Sequence, residues 1–152
     1  MIQKSDDIII KTLARILVPF IQIYALYVIM HGHHSPGGGF QGGVILAASF
    51  VILMITHGVK KTQKRISDKA VALFSSSGVF IYAGIGAVCL LLAGNYLDYS
   101  MLAKLLHVAP AEARSLGILG IEIGVGLAVM AVMFSIFFNI SKGEDVEEDN
   151  KE

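Results

Sequence analysis

Three histidines stand almost side by side at His31, His33 and His34, within the stretch MHGHHSPGGGFQGGVILA that runs from Met30 to Ala47. Imidazole changes charge near neutral pH. Such a group can cap an interface, bond to loop carbonyls, stop a proton at the mouth of a path, or hold a borderline metal. Zinc wants three or four ligands in tetrahedral array, and no Cys, Asp or Glu lies close in sequence to complete one. No metal, no other cofactor and no catalytic residue is expected. The second chemical candidate is Glu122, in LGILGIEIGVGLAVM. An ionised acid facing lipid near mid-bilayer costs about 2.5–3.5 kcal/mol. Glu122 is therefore expected to face protein or water. It serves either an ion or proton path or a structural hydrogen bond, and the residue type alone fits both. The path candidates are thus Glu122, His33, His34 and His31. The run GGGFQGG is no phosphate loop, because GK[ST] does not follow it and no strand precedes it.

These groups need elements to hold them, and the composition says which. The 152 residues are 55% hydrophobic and only 16% charged, with a mean hydropathy of +0.69. A soluble domain carries roughly a quarter charged residues, so this chain belongs in a bilayer. Its net charge of zero gives no field for nucleic acid. Cys89 is the single cysteine, lies in an apolar run, and reads as a packing residue. About 20 mainly apolar residues cross a core roughly 30 Å thick. Four stretches qualify, near residues 8–30, 40–57, 69–93 and 116–140. The expected fold is all-α, a polytopic membrane protein with four transmembrane helices forming one domain over 1–140. The acidic tail 141–152 has nothing to bury and is expected to be disordered.

Basic residues orient the spans. Lys4, Lys11 and Arg15 lie toward the N-terminus, and Lys60, Lys61, Lys64, Arg65 and Lys69 crowd the connection between spans two and three. The connection between spans one and two has none. The positive-inside rule then puts both termini in the cytoplasm. On the outer side, Leu97, Met101, Leu105 and Val108 suggest a short amphipathic piece lying on the membrane or on a neighbour.

The glycines shape the corner between spans one and two. Pro36 drives its predecessor out of helix and can open the next one, while Gly37, Gly38 and Gly39 can take angles closed to other residues. Gly39, Gly43 and Ala47 recur every four residues, and Gly120, Gly124 and Ala128 do the same in span four. Lipid gives helices no hydrophobic reason to associate, so small residues that let backbones approach supply much of the packing. Four short helices are expected to leave some of these smooth faces for other chains. A side chain added at Gly38 or Gly43 should then harm assembly more than insertion.

The string from Gly32 to Gly43, GHHSPGGGFQGG, resembles the signature GHxxPGGGFxGG of the MnhB/MrpB family, the B subunits of Mrp-type multisubunit sodium/proton antiporters. Val18-Pro19-Phe20-Ile21, Leu26-Tyr27-Val28 and Glu122 to Leu127 match further phrases of that family, and the likeness runs from about Lys11 to Asn139. His33, Pro36, Gly37, Gly38, Gly39, Phe40, Gly42 and Gly43 fall on the fixed letters; His31, His34 and Gln41 do not. The resemblance implies a small non-catalytic subunit in the cytoplasmic membrane. It would sit beside larger antiporter subunits, with Na+ and H+ as the ions moved. It also implies an alternative host, the antiporter module of an energy-converting membrane-bound hydrogenase or related respiratory complex. Pro36 through Gly43, with Gly120 and Gly124, would form the hairpin and packing surfaces, and Glu122 stands where the family commonly has an acid, a candidate contributor to the ion path that the motif itself does not assign.

Overall fold

A computed structural model describes residues 4–32, 37–58, 62, 67–92 and 94–149. The elements in chain order are α1 (Lys4–Met30), α2 (Gly39–His57), α3 (Asp68–Leu91), a 3-10 turn (Tyr99–Met101), α4 (Leu102–Leu106) and α5 (Pro110–Asp149). Among the described residues there is no strand. Four helical stretches are long and apolar enough to cross a membrane: Ile8–Met30, Gly39–His57, Asp68–Leu91 and Pro110–Ser141. The chain is all-α with four membrane-spanning helices.

Two ends differ from the apolar pattern. The fourth span, α5, begins at Pro110, not near Leu116. Proline suits a first helical position because its missing N–H has no partner to lose. Glu112 in the first turn complements the helix dipole. Hydropathy is blind to both signals. At the other end the backbone stays helical to Asp149, past the Ile140 at which the apolar run stops. Extending an existing helix adds one hydrogen bond per residue without a new nucleus, so a helix can outrun the apolar residues that anchor it.

The spans stand in the spatial order α1, α2, α5, α3, and α3 meets the others chiefly through α5. Glycine sets the spacing. A Cβ on Gly43 would lie 2.7 Å from the Gly126 carbonyl oxygen of α5, and one on Gly124 would lie 2.9 Å from the Gly78 carbonyl oxygen of α3. Gly120 abuts Ile85 of α3, and Gly42 leaves room for Ile29 and Ala25 of α1. Gly43, Gly78, Gly120 and Gly124 thus find partners within the chain, whereas Gly84 of α3 has nothing within 4 Å. One central helix, α5, offers small residues to α2 on one side and to α3 on the other, so the stripes find partners without leaving the chain. The outward surface carries bulky groups such as Phe20, Ile23, Leu73, Phe80 and Leu91.

An apolar cluster closes each end. Met54, Phe134 and Phe138 meet Phe50 and Val71 at one end. Cys89, Leu102 and Ala113 meet Tyr99 and Val108 at the other. The neighbour on which the amphipathic piece lies is therefore the chain's own α3 and α5. Tyr96 covers Gly86 and Tyr99 covers Gly117, while Asp98 fixes the turn by accepting from the backbone and hydroxyl of Ser100.

Gly78 and Gly84 separate packing from propensity. Gly78→Ala would place a methyl 2.6 Å from the Ala128 nitrogen, whereas Gly84 has nothing within 4 Å. Overpacking costs roughly 1–3 kcal/mol. Gly78→Ala is expected to lower the thermal midpoint in detergent by roughly 5 °C. Gly84→Ala is expected to leave it unchanged or raise it, since alanine favours helix by about 1 kcal/mol. Equal midpoints for the two variants would refute the close α3–α5 approach.

Candidate functional site

The turn from α2 back to α1 and the middle of α5 meet at a single carboxylate. The cap residue of α2 is Gly38, which has no side chain with which to satisfy the first amides of its helix. Glu122 takes over that task from α5: the Gly39 N–H donates to Glu122 Oε2. Three residues on, the Gly42 N–H is met in the ordinary way by the Gly38 carbonyl at 2.9 Å. A buried amide without water or a partner costs several kcal/mol in hydrocarbon. A carboxylate at a helix N-terminus also gains from the dipole.

Glycine makes the contact possible. A Cβ on Gly38 would stand 2.6 Å from Glu122 Oε1 and 2.7 Å from its Cδ. One on Gly39 would overlap the Glu122 carbonyl oxygen and lie 3.0 Å from its Cα. One on Gly32, in the turn after α1, would lie 2.9 Å from Glu122 Cδ and 2.6 Å from Gly38 Cα. Gly38 also sits at φ +128°, a region that other residues rarely enter. Three glycines therefore wrap one half-buried acid. By helical rise, Glu122 lies ~18 Å from the first residue of α5.

The other sequence candidates fall in different places. His31 directly follows the last residue of α1, with its ring stacked on Tyr27 at 4.2 Å between centroids and its Nδ1 3.1 Å from the Tyr27 carbonyl. His33, His34 and Pro36 lie outside the described residues. Gly37 packs near Val28, and Phe40 and Gln41 point outward. Gly42 and Gly43 serve the α1 and α5 contacts, while Gly120 and Gly124 serve α3. Gly32 is not one of the packing candidates named above; its presence in the glycine-rich string is the available signal. Tyr99, in the outer segment, has its phenol pushed above the ordinary range by burial first, with smaller contributions from Tyr82, Cys89, Tyr96 and Glu122.

Fold and site together define a small multi-pass helical membrane protein whose intramembrane acid is tied to a glycine corner. Its lineage is equally definite. The family model described as a domain related to the MnhB subunit of Na+/H+ antiporter matches residues 9–135, and the chain belongs to that family. It is 26% identical over 137 residues to the Na(+)/H(+) antiporter B subunit of Bacillus subtilis, covering 84% of this chain and 93% of that protein. It is 25% identical over 147 residues to the Na(+)/H(+) antiporter B subunit of Alkalihalophilus pseudofirmus, covering 93% of this chain and 96% of that one.

Proposed function

We propose that the chain is an accessory subunit of a multisubunit sodium(cation)/proton antiporter in the cell membrane, with both termini in the cytoplasm. The observation that carries the reading is the Gly38–Gly39–Glu122 contact in a member of this family. The contact makes the outer corner rigid. A titratable group within an apolar span, where neighbouring subunits could share it, supports the reading. The basic residues flanking α1 and preceding α3 support the orientation. Na+ and H+ are the ions moved by the complex, and the larger subunits carry the main transport machinery.

The test is gentle extraction of the tagged native protein and identification of what accompanies it. Recovery with large multi-span antiporter subunits is the expected result. Additional iron–sulfur or hydrogenase-type proteins would move the chain to a redox-driven host. Recovery alone, with ion flux in vesicles holding this chain only, would overturn the accessory role.

A further inference from the structure

Gly84 is the glycine of α3 that packs against nothing, since a Cβ built there would have no atom within 4 Å. The gap is the floor of a groove of about 370 Å³ between α3 and α4, where Phe80, Gly84, Val88, Leu102, Leu105 and Leu106 are among the lining residues. None of its lining side chains is polar. From Phe80 to Val88 the groove runs ~12 Å along α3. Leu102 is buried with Cys89 and Ala113, which pins α4 against the ends of α3 and α5. Leu105 and Leu106, on the same short helix, stay exposed and form the opposite wall.

Two occupants have the right chemistry for such a wall, a membrane helix of another protein and the acyl chain of a lipid. A helix is about 10–12 Å across with its side chains, and one that spans the bilayer must continue beyond both of its faces. Laid over Gly84, it would run into α4, which stands against α3 at the end of the groove. The lining also offers no hydroxyl or amide with which helices are commonly fastened in lipid. An acyl chain is a single file of methylenes that stops at its headgroup, so it has nothing to pass.

A lipid in this groove would also find a charge at its headgroup. Lys104 directly precedes Leu105 and Leu106 on α4, is exposed, and makes no hydrogen bond or ion pair among the described residues. It is the one Lys or Arg between Leu92 and Ala109. Asp98, the one acid of that segment, is already engaged with the backbone and hydroxyl of Ser100. A lysine at the end of a span lays its stem on apolar surface and holds its ammonium at headgroup level. There it meets phosphate as a point charge. In a choline lipid the headgroup's own cation competes for that phosphate; in an anionic lipid nothing does.

We infer that the groove between α3 and α4 holds an acyl chain of an anionic phospholipid, with Lys104 on the phosphate. The inference rests on the four spans and not on the accessory-subunit reading.

The test extracts the protein gently with whatever accompanies it, attaches a photoactivatable probe at Leu91→Cys, and reconstitutes it into vesicles of equal parts phosphatidylglycerol and phosphatidylcholine. Leu91 is exposed and lies seven residues beyond Gly84 on the same face of α3, outside the lining. Cys89 is fully buried and shielded from the reagent. Adducts with phosphatidylglycerol are expected to exceed those with phosphatidylcholine roughly fivefold, the preference that one lysine gives for anionic lipid. Lys104→Gln is expected to bring the ratio to one. So is Gly84→Leu, which fills the floor of the groove, and Gly84→Val takes its place should the leucine variant fail to fold. A ratio of one with the groove unaltered, or a ratio that survives either substitution, would overturn the inference. Irradiation of the same probe in native membranes distinguishes the other occupant: adducts with a second polypeptide in place of phospholipid would make the groove a subunit interface and overturn the inference as well.

Discussion

Gly39→Val is expected to prevent recovery of the folded chain. The new Cβ would overlap the Glu122 carbonyl oxygen, and its next contacts are the Glu122 carbonyl carbon at 2.9 Å and Cα at 3.0 Å. These are backbone atoms, so no rotamer change relieves the clash. Either α2 moves off α5 or the Gly39 N–H leaves its carboxylate. The first loses the Gly43–Gly126 approach as well, since the two contacts lie along the same seam. The second leaves an amide without its partner at a cost of about 1–3 kcal/mol. Overpacking adds roughly 1–3 kcal/mol or more. Against a total stability of about 5–15 kcal/mol, the sum removes a large fraction. The check is size-exclusion recovery and thermal midpoint in detergent, with Gly84→Val as the control because Gly84 faces open space. A monodisperse Gly39→Val protein with an unchanged midpoint would refute the α2–α5 contact.

Glu122→Gln is expected to keep the fold and weaken ion exchange by at least tenfold. Glutamine preserves the length of the side chain and a carbonyl oxygen for the Gly39 N–H. It loses the charge, and a charge-assisted bond is roughly twice as strong as a neutral one. The dipole contribution at a helix N-terminus, about 0.3–1 kcal/mol, is lost with it. A drop in thermal midpoint of a few degrees follows. Glu122→Leu removes the acceptor altogether, so it should lower the midpoint further and reduce assembly too. The informative comparison is therefore exchange activity at equal assembly, measured across pH in membrane vesicles. If Glu122→Gln exchanges as wild type at every pH, the carboxylate is a cap and not part of the ion path.

The spans were legible because a run of about 20 apolar residues suits a bilayer and little else. So was the chemistry of the individual residues. Glu122 stood out as an acid in an apolar helix, and Gly37 to Gly39 stood out as a corner. Their union was not legible. Gly39 and Glu122 are 83 positions apart in the chain. Joining them requires knowing that α2 packs on α5, which no local pattern states. The same gap hides the partners of the glycine stripes. Periodicity identifies a smooth face but not its neighbour, and a helix with small residues on two sides consumes twice what a pairwise count allows. The early start of α5 is hidden for a simpler reason. The stretch from Pro110 to Arg114 is a good helix opening but not an apolar one, so hydropathy does not report it.

The order α1, α2, α5, α3 has a consequence for any ion that passes this subunit. Among the described residues, the first and last of these helices make no substantial contact that would complete a ring. The described helices thus form a partition rather than a pipe, with two sides and no lumen between them. A hydrated ion travelling past it would use a seam shared with another protein, bounded on one flank by this partition. Lesions that widen or narrow that seam would then alter transport from either side of it, even where the subunit itself remains intact.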